Sequence, residues 1–380
     1  MTTPLAPAAR MRSPIQVPTD VAIFLPGLDG GGTEKMFLTL AMGFIEAGLK
    51  VDFVLVRAQG VYISRIPANA RVIDLKAKRM AASFPGLVRY LRTYKPTTLL
   101  SALGLSDLIA VLSKLAVGSK TRVIVSVRGM AYRLDRITLR KRIENSLIFL
   151  SYRWADGIVA VTHAVAEDTC KQSGIPIGKI EVIYNPVVVP DLENQMNEPL
   201  DHPFFLPDQP PVILGVGRLV RDKDFATLLR AFAIVRQSTP GRLLILGEGE
   251  ERSRLESLAR ELGVSAEVSM PGFVNNPYKY MKKATVFVLS SISEGIGNVL
   301  IEAMACGCPV VSTDCKGGAR EILGDGKYGF LTPVMDAESM ARAISGILAG
   351  QRKNIDPEWL HQFDAKKVQQ RYLSMMGFST

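Results

Sequence analysis

Short apolar runs rich in β-branched residues recur along the chain, each followed by a stretch with helical spacing. In the first half the runs are VAIFLP (21–26), VDFVLV (51–56), TTLLSAL (97–103), RVIVSV (122–127), GIVAVT (157–162) and EVIY (181–184). They are apolar throughout rather than alternating, as strands covered on both faces must be. Segments with 3.6-residue spacing, such as 35–47 and 164–172, fill the gaps. This alternation predicts an α/β fold with a doubly wound parallel sheet. The rhythm stops at 185–211 (NPVVVPDLENQMNEPLDHPFFLPDQPP), which is dense in Pro, Asp and Glu and has no period. Such a stretch reads as a linker. Then it restarts with VILGVG (212–217), LLILG (243–247), AEVSM (266–270), TVFVLS (285–290), PVVST (309–313) and GFLT (329–332). At 380 residues the chain is too long for one ordinary core, so two units are expected. The predicted organisation is an arm over 1–18, a first domain over 19–190, a linker over 191–211 and a second domain over 212–356. Two facing α/β units leave a cleft, and ligands of such sheets bind beyond the carboxyl ends of the strands.

Hydrophobic residues make up 47% and charged residues 22%, the balance of a globular protein. No apolar run is long enough to span a bilayer, since Arg153 and Asp156 interrupt the longest, 147–161. The amino terminus lacks the apolar stretch of a secretion signal and reads as a Pro/Ala-rich arm. Cys170, Cys306, Cys308 and Cys315 form no C-x-x-C, and His163, His202 and His361 are scattered. No zinc site is expected, and the cysteines read as buried thiols in a reducing cytosol. Almost all of the formal charge of +10 falls within residues 1–200. A basic half suits an anionic partner such as phospholipid headgroups. No nucleic-acid-binding module is recognisable.

Three stretches follow strand ends and carry chemistry. GLDGGGTEK (27–35) places glycines where backbone amides approach a phosphate at a helix start, or where a tight turn simply needs them. Its spacing is not G-x-G-x-x-G, and Arg57, not an acid, ends the second strand, which disfavours a dinucleotide dehydrogenase. VGRLVRDKDF (216–225) sets Arg218 and Lys223 in one loop, two cations able to clamp a diphosphate. SEGIGNVLIEAMACG (293–307) runs from a turn into a helix, with Glu294 in the turn and Glu302 on the helix. Val299, Leu300, Ala303 and Met304 read as the packed face of that helix. Glu302 is then partly sheltered, and a carboxylate there can accept hydrogen bonds from paired hydroxyls such as those of a ribose.

S-x-x-E-G-x-G-N-x-x-x-E-A-M-A-x-G-x-P-V-V at 291–311 resembles the E-x7-E signature of the retaining family-4 glycosyltransferases. G-R-L-x-x-x-K (217–223), L-G-E-G (246–249), G-G-T-E (31–34), I-Y-N-P (183–186) and G-F-V-x-N-P (272–277) resemble the same family, in the right order over nearly the whole chain. The resemblance implies a GT-B fold, two Rossmann-like domains facing across a cleft, with the terminal segment 357–380 packing back on the first. It implies that Arg218 and Lys223, in the loop opened by Gly217, hold a donor diphosphate. Glu294 would bind the transferred sugar and Glu302 the ribose. Gly297, Asn298 and Val299 would offer amides, Phe273 and Val274 would flank the base, and Gly31 and Gly32 would approach the phosphate or acceptor. Neither a metal nor a cofactor is then required, because cations and helix dipoles stabilise the leaving diphosphate. One departure stands out. Many members carry a histidine where this chain has Arg128, which cannot act as a base but could bind a phosphate or an acidic acceptor.

The implied activity is hexosyl transfer with retention from a nucleotide-sugar, UDP-sugar ahead of GDP-sugar, to a glycan or lipid-linked acceptor. A nucleotide-sugar 2-epimerase of the same fold and a non-catalytic nucleotide-sugar binder are the alternatives. Two basic stretches with apolar residues, FPGLVRYLRTYK (84–95) and RLDRITLRKRIENSLIFLSYRW (133–154), have the composition of interfacial helices, and also of helices packed on a sheet. With the basic first half they lead to the expectation of a cytoplasmic protein held peripherally on the inner face of the membrane.

Overall fold

The computed structural model describes residues 19–130 and 138–378. The arm expected over 1–18 lies outside the described residues, as do residues 133–137 of the second basic stretch. The first half forms a seven-stranded sheet from β1 (Val21–Leu25), β2 (Val51–Leu55), β3 (Arg71–Asp74), β4 (Thr98–Ala102), β5 (Arg122–Val127), β6 (Gly157–Ala160) and β7 (Ile180–Val182), in the order 3-2-1-4-5-6-7. The second half forms a six-stranded sheet from β8 (Val212–Val216), β9 (Arg242–Leu246), β10 (Val268–Gly272), β11 (Val286–Leu289), β12 (Val310–Thr313) and β13 (Phe330–Thr332), in the order 10-9-8-11-12-13. All pairings are parallel, with Val21 of β1 opposite Val51 on one side and Thr98 on the other. The two Rossmann-like halves face each other as in the GT-B architecture.

The central strands are buried along their whole length because helices cover both faces. Apolar runs do not announce β3. It is an edge strand whose residues alternate between half-buried and exposed, and its Arg71 reaches Asp52 of β2 at 2.6 Å. Phe37, Phe44, Phe53 and Tyr372 belong to one apolar cluster of the first half, and Phe232 to one of the second. A third apolar cluster runs unbroken from Val123 and Val125 of the first half to Leu214 and Phe287 of the second.

The Pro-rich connection is more ordered than its composition implies. Leu192–Met196 is helical with Leu192 buried. The second half holds this connection through its polar side chains: Asn276 Nδ2 donates to the Gln195 carbonyl at 2.7 Å and Lys279 Nζ to that of Pro199 at 2.9 Å. The chain passes between the halves again near 356–364, and the two passages lie side by side. Val187 and Val188 amides donate to the Phe363 carbonyl at 3.0 Å, and the Ala365 amide donates to that of Val188 at 2.9 Å. The helix Ala365–Met376 then packs on the first half with Val368, Tyr372, Leu373 and Met376 buried.

The two basic stretches part company. On the helix Phe84–Tyr94, Leu87, Tyr90 and Leu91 are buried, and Tyr90 Oη donates to Asp52 at 2.6 Å. Its apolar face is core, so the interfacial reading of 84–95 does not hold. On the helix Leu139–Ser151 and just beyond it, Leu139, Ile143, Leu147, Leu150 and Trp154 are each more than 40% exposed. Among the described residues no helix is long and apolar enough to cross a membrane.

Candidate active site

Strand order reverses between β1 and β4 and between β8 and β11, and each reversal opens a crevice at the carboxyl ends. The loop after β8 carries Gly217, Arg218 and Lys223, and the loop after β11 carries Glu294 and Gly297. Hydrogen bonds stitch these neighbouring loops together. The Ile292 amide donates to the Asp222 carbonyl at 2.8 Å, and Ser290 Oγ to that of Lys223 at 2.7 Å. Lys223 and Glu294 form an ion pair, and Ser291 Oγ donates to the same Glu294 oxygen at 2.7 Å. Their side chains are 21% and 11% exposed, so solvent screens the pair little. Gly217 lies along the Lys223 stem, which a Cβ there would meet at 3.7 Å. Arg218 is exposed, and among the described residues it makes no ion pair. Its charge reaches across to Glu34, whose pKa burial raises and Arg218 partly lowers.

Gly297 takes a φ of +75° and caps the helix Asn298–Ala305. Leu300, Ala303 and Met304 are buried as expected, but Val299 is half-exposed and Glu302 is only 5% exposed. A carboxylate that deep needs a partner. Lys35 Nζ, from the first helix across the cleft, donates to Glu302 Oε1 at 2.7 Å, and Tyr278 Oη does so at 3.2 Å. Burial opposes the Lys35 charge, but Glu302 and Tyr278 outweigh it and hold the ammonium pKa above the usual lysine range.

The halves meet closely around this helix start. Gly31 caps the helix Gly32–Glu46, and a Cβ on Gly32 would lie 3.1 Å from Asn298 Nδ2. Asn185 Nδ2 donates to Asn298 Oδ1 at 2.7 Å. A Cβ on Gly295 would fall 1.9 Å from the Arg128 carbonyl, so only glycine permits this approach. Glu321 of the second half accepts the His163 amide at 3.0 Å and the Tyr184 hydroxyl at 2.6 Å, capping a first-half helix with a favourable charge.

In this structure the Arg128 guanidinium is engaged by the protein itself. It donates to Asn185 Oδ1 at 2.5 Å and to Tyr372 Oη at 2.8 Å, and it stacks over the Phe37 ring. Burial lowers its pKa, with Tyr372 acting the other way. Arg128 thus ties the terminal helix to the segment beside the cleft.

The structure therefore brings Lys223 to Glu294, and Gly32 to Asn298, with Glu302 one turn further along the same helix. Phe273 is 56% exposed after β10 and Val274 is half-buried beside it, with neither in contact with these groups by any hydrogen bond or ring contact among the described residues. Lys35, Asn185, Tyr278 and Glu321 join the halves without standing out in the sequence as site residues. The first three sit inside or next to GLDGGGTEK, I-Y-N-P and G-F-V-x-N-P, so those motifs were the available signal.

Two parallel-sheet domains facing each other across a cleft are the architecture of the GT-B glycosyltransferases. Residues 30–189 match the model of Glycosyltransferase Family 4, and residues 197–358 match that of Glycosyl transferases group 1. The chain is 33% identical over 345 residues to the N-acetylgalactosamine-N,N'-diacetylbacillosaminyl-diphospho-undecaprenol 4-alpha-N-acetylgalactosaminyltransferase of Campylobacter jejuni, covering 86% of this chain and 90% of that one. It is 42% identical over 144 residues to the lipopolysaccharide core biosynthesis glycosyltransferase LpsE of Rhizobium meliloti, covering 38% and 41%. Among solved structures, a glycosyltransferase from Rickettsia africae superposes with a TM-score of 0.72 at 18% identity, over 94% of this chain and 98% of that one. Anabaena Alr3699/HepE in complex with UDP-glucose superposes with a TM-score of 0.70 at 17% identity, over 94% and 95%. The chain belongs to the glycosyltransferase family that these two models describe.

Proposed function

We propose that the protein transfers a hexose, with retention, from a nucleotide-sugar to a lipid-linked glycan acceptor, with a UDP-sugar favoured over a GDP-sugar as donor. The Lys223–Glu294 pair carries this reading, standing at the switch point between β8 and β11 beside Arg218. In this reading Arg218 and Lys223 neutralise the leaving diphosphate, together with the amides of Gly297, Asn298 and Val299 at the helix start. Donor diphosphate displaces Lys223 from Glu294, which then orients the sugar hydroxyls. Glu302 accepts the ribose hydroxyls, Phe273 and Val274 flank the base, and the Gly31–Gly32 turn faces the phosphate. The leaving phosphate takes the acceptor's proton on the face it vacates, and no metal is needed for its departure.

The relatives' names support a lipid-linked acceptor: one acts on a diphospho-undecaprenol substrate and another in lipopolysaccharide core synthesis. The exposed stripe on Leu139–Ser151, flanked by exposed Arg140, Arg142 and Arg153, supports peripheral attachment to the inner face of an anionic membrane. The test is incubation with UDP- and GDP-sugars, with and without EDTA, and lipid-linked acceptors extracted from membranes. Expected are free nucleotide and an elongated acceptor whose new linkage keeps the donor's anomeric configuration, unaffected by EDTA. A sugar product epimerised at C2 points to the epimerase, and tight binding without turnover points to a binding protein. An inverted linkage removes the retention assignment.

A further inference from the structure

Side chains of the first half grip one face of the helix Asn298–Ala305. Asn298 and Glu302 stand four residues apart and so share that face. Asn185 donates to the first at 2.7 Å and Lys35 to the second at 2.7 Å. Lys35 Nζ also donates to Tyr278 Oη at 2.7 Å, and Tyr278 Oη donates in turn to Glu302 Oε1. Both bonds to Glu302 end on Oε1. The Glu302 side chain is 7% exposed, so Lys35 supplies charge compensation where water cannot. Pinning one oxygen fixes the rotation of the carboxylate, and a carboxylate binds two neighbouring hydroxyls well only when it is held in register with them.

We propose that Lys35 is a positioning residue for Glu302: the first half supplies the cation that sets the carboxylate against the ribose hydroxyls, so the nucleoside subsite is complete only when both halves are together. This inference rests on the reading of Glu302 as the ribose acceptor. It makes recognition of the ribose, and not only of the acceptor, a property of the closed molecule.

The test is calorimetric titration of the full chain with whichever of UDP and GDP stabilises it more against heat, and with the 2′,3′-dideoxy form of that nucleotide. The wild type is expected to prefer the ribose form. Lys35→Met is expected to shrink that preference by about tenfold while leaving affinity for the dideoxy form unchanged, and Lys35→Arg to restore most of it. Equal weakening of both forms in Lys35→Met would place Lys35 on the phosphates and overturn the inference, as would an unchanged preference. A wild type indifferent to the ribose hydroxyls, or one that binds neither nucleotide, removes the Glu302 reading and this inference with it. Retained preference in Lys35→Met alongside normal ribose dependence in the wild type removes this inference alone.

Discussion

The two halves of the molecule reach the cleft by different means. In the second half the key contacts are internal: Lys223 meets Glu294, Ser291 supports the pair, and the backbones of adjacent loops lock together. In the first half the cleft contacts end on the other half: Lys35 on Glu302, Asn185 on Asn298, and the Arg128 carbonyl against Gly295. The Lys223–Glu294 pair is thus assembled within the second half, whereas Glu302 and Asn298 find partners across the cleft.

The sharpest way to break this contrast is to damage the self-contained side. Glu294→Ala and Lys223→Ala are each expected to lower transfer by about two to three orders of magnitude with an unchanged circular dichroism spectrum. Full activity in either variant would show that the second half is not the chemical one. Gly295→Ala tests the meeting of the halves. Its methyl collides with the Arg128 carbonyl, so about a hundredfold loss of activity is expected, with nucleotide binding less affected. Steady-state kinetics beside nucleotide titrations measure both.

On the first half, Ile143→Glu with Leu147→Glu places charge in the exposed stripe. Sedimentation with vesicles containing anionic lipid is expected to show binding about tenfold weaker, while turnover of a water-soluble acceptor stays unchanged. The smallest effect concerns Asp107, whose pKa burial raises from 3.8 to about 7. The native state then holds a proton that the unfolded chain releases, so wild-type stability falls as pH rises from 3.8 to about 7. Asp107→Asn can keep the bonds to Ser101 and Gly104 and is expected to flatten that slope in thermal melts across this range.

The contrast also explains what could be read in the sequence. Strands covered on both faces write themselves as apolar runs, so β1, β2, β4 and their counterparts in the second half were legible. β3 was not, because an edge strand holding Arg71 for a buried Asp52 looks polar. The placing of Lys223 and Glu294 in loops beyond strand ends, and of Glu302 on the helix that follows, was legible because apolar runs precede them. Lys35 was not, because its partner lies 267 residues away and nothing local marks the pairing. The partners of Arg128 were hidden for a similar reason, since Tyr372 comes from the terminal helix. The stretches 84–95 and 133–154 have similar composition, and only their packing separates a core helix from an exposed one.

The paired passages at Val187–Val188 and Phe363–Ala365 carry a mechanical consequence. One tether would let the lobes swivel freely, but two joined rungs act as a door hinge with a fixed pin. Any relative movement of the lobes must then bend or twist both strands of the crossing at once. Cutting the chain at either rung would free a twist that the intact protein forbids, and would cost alignment before it cost folding.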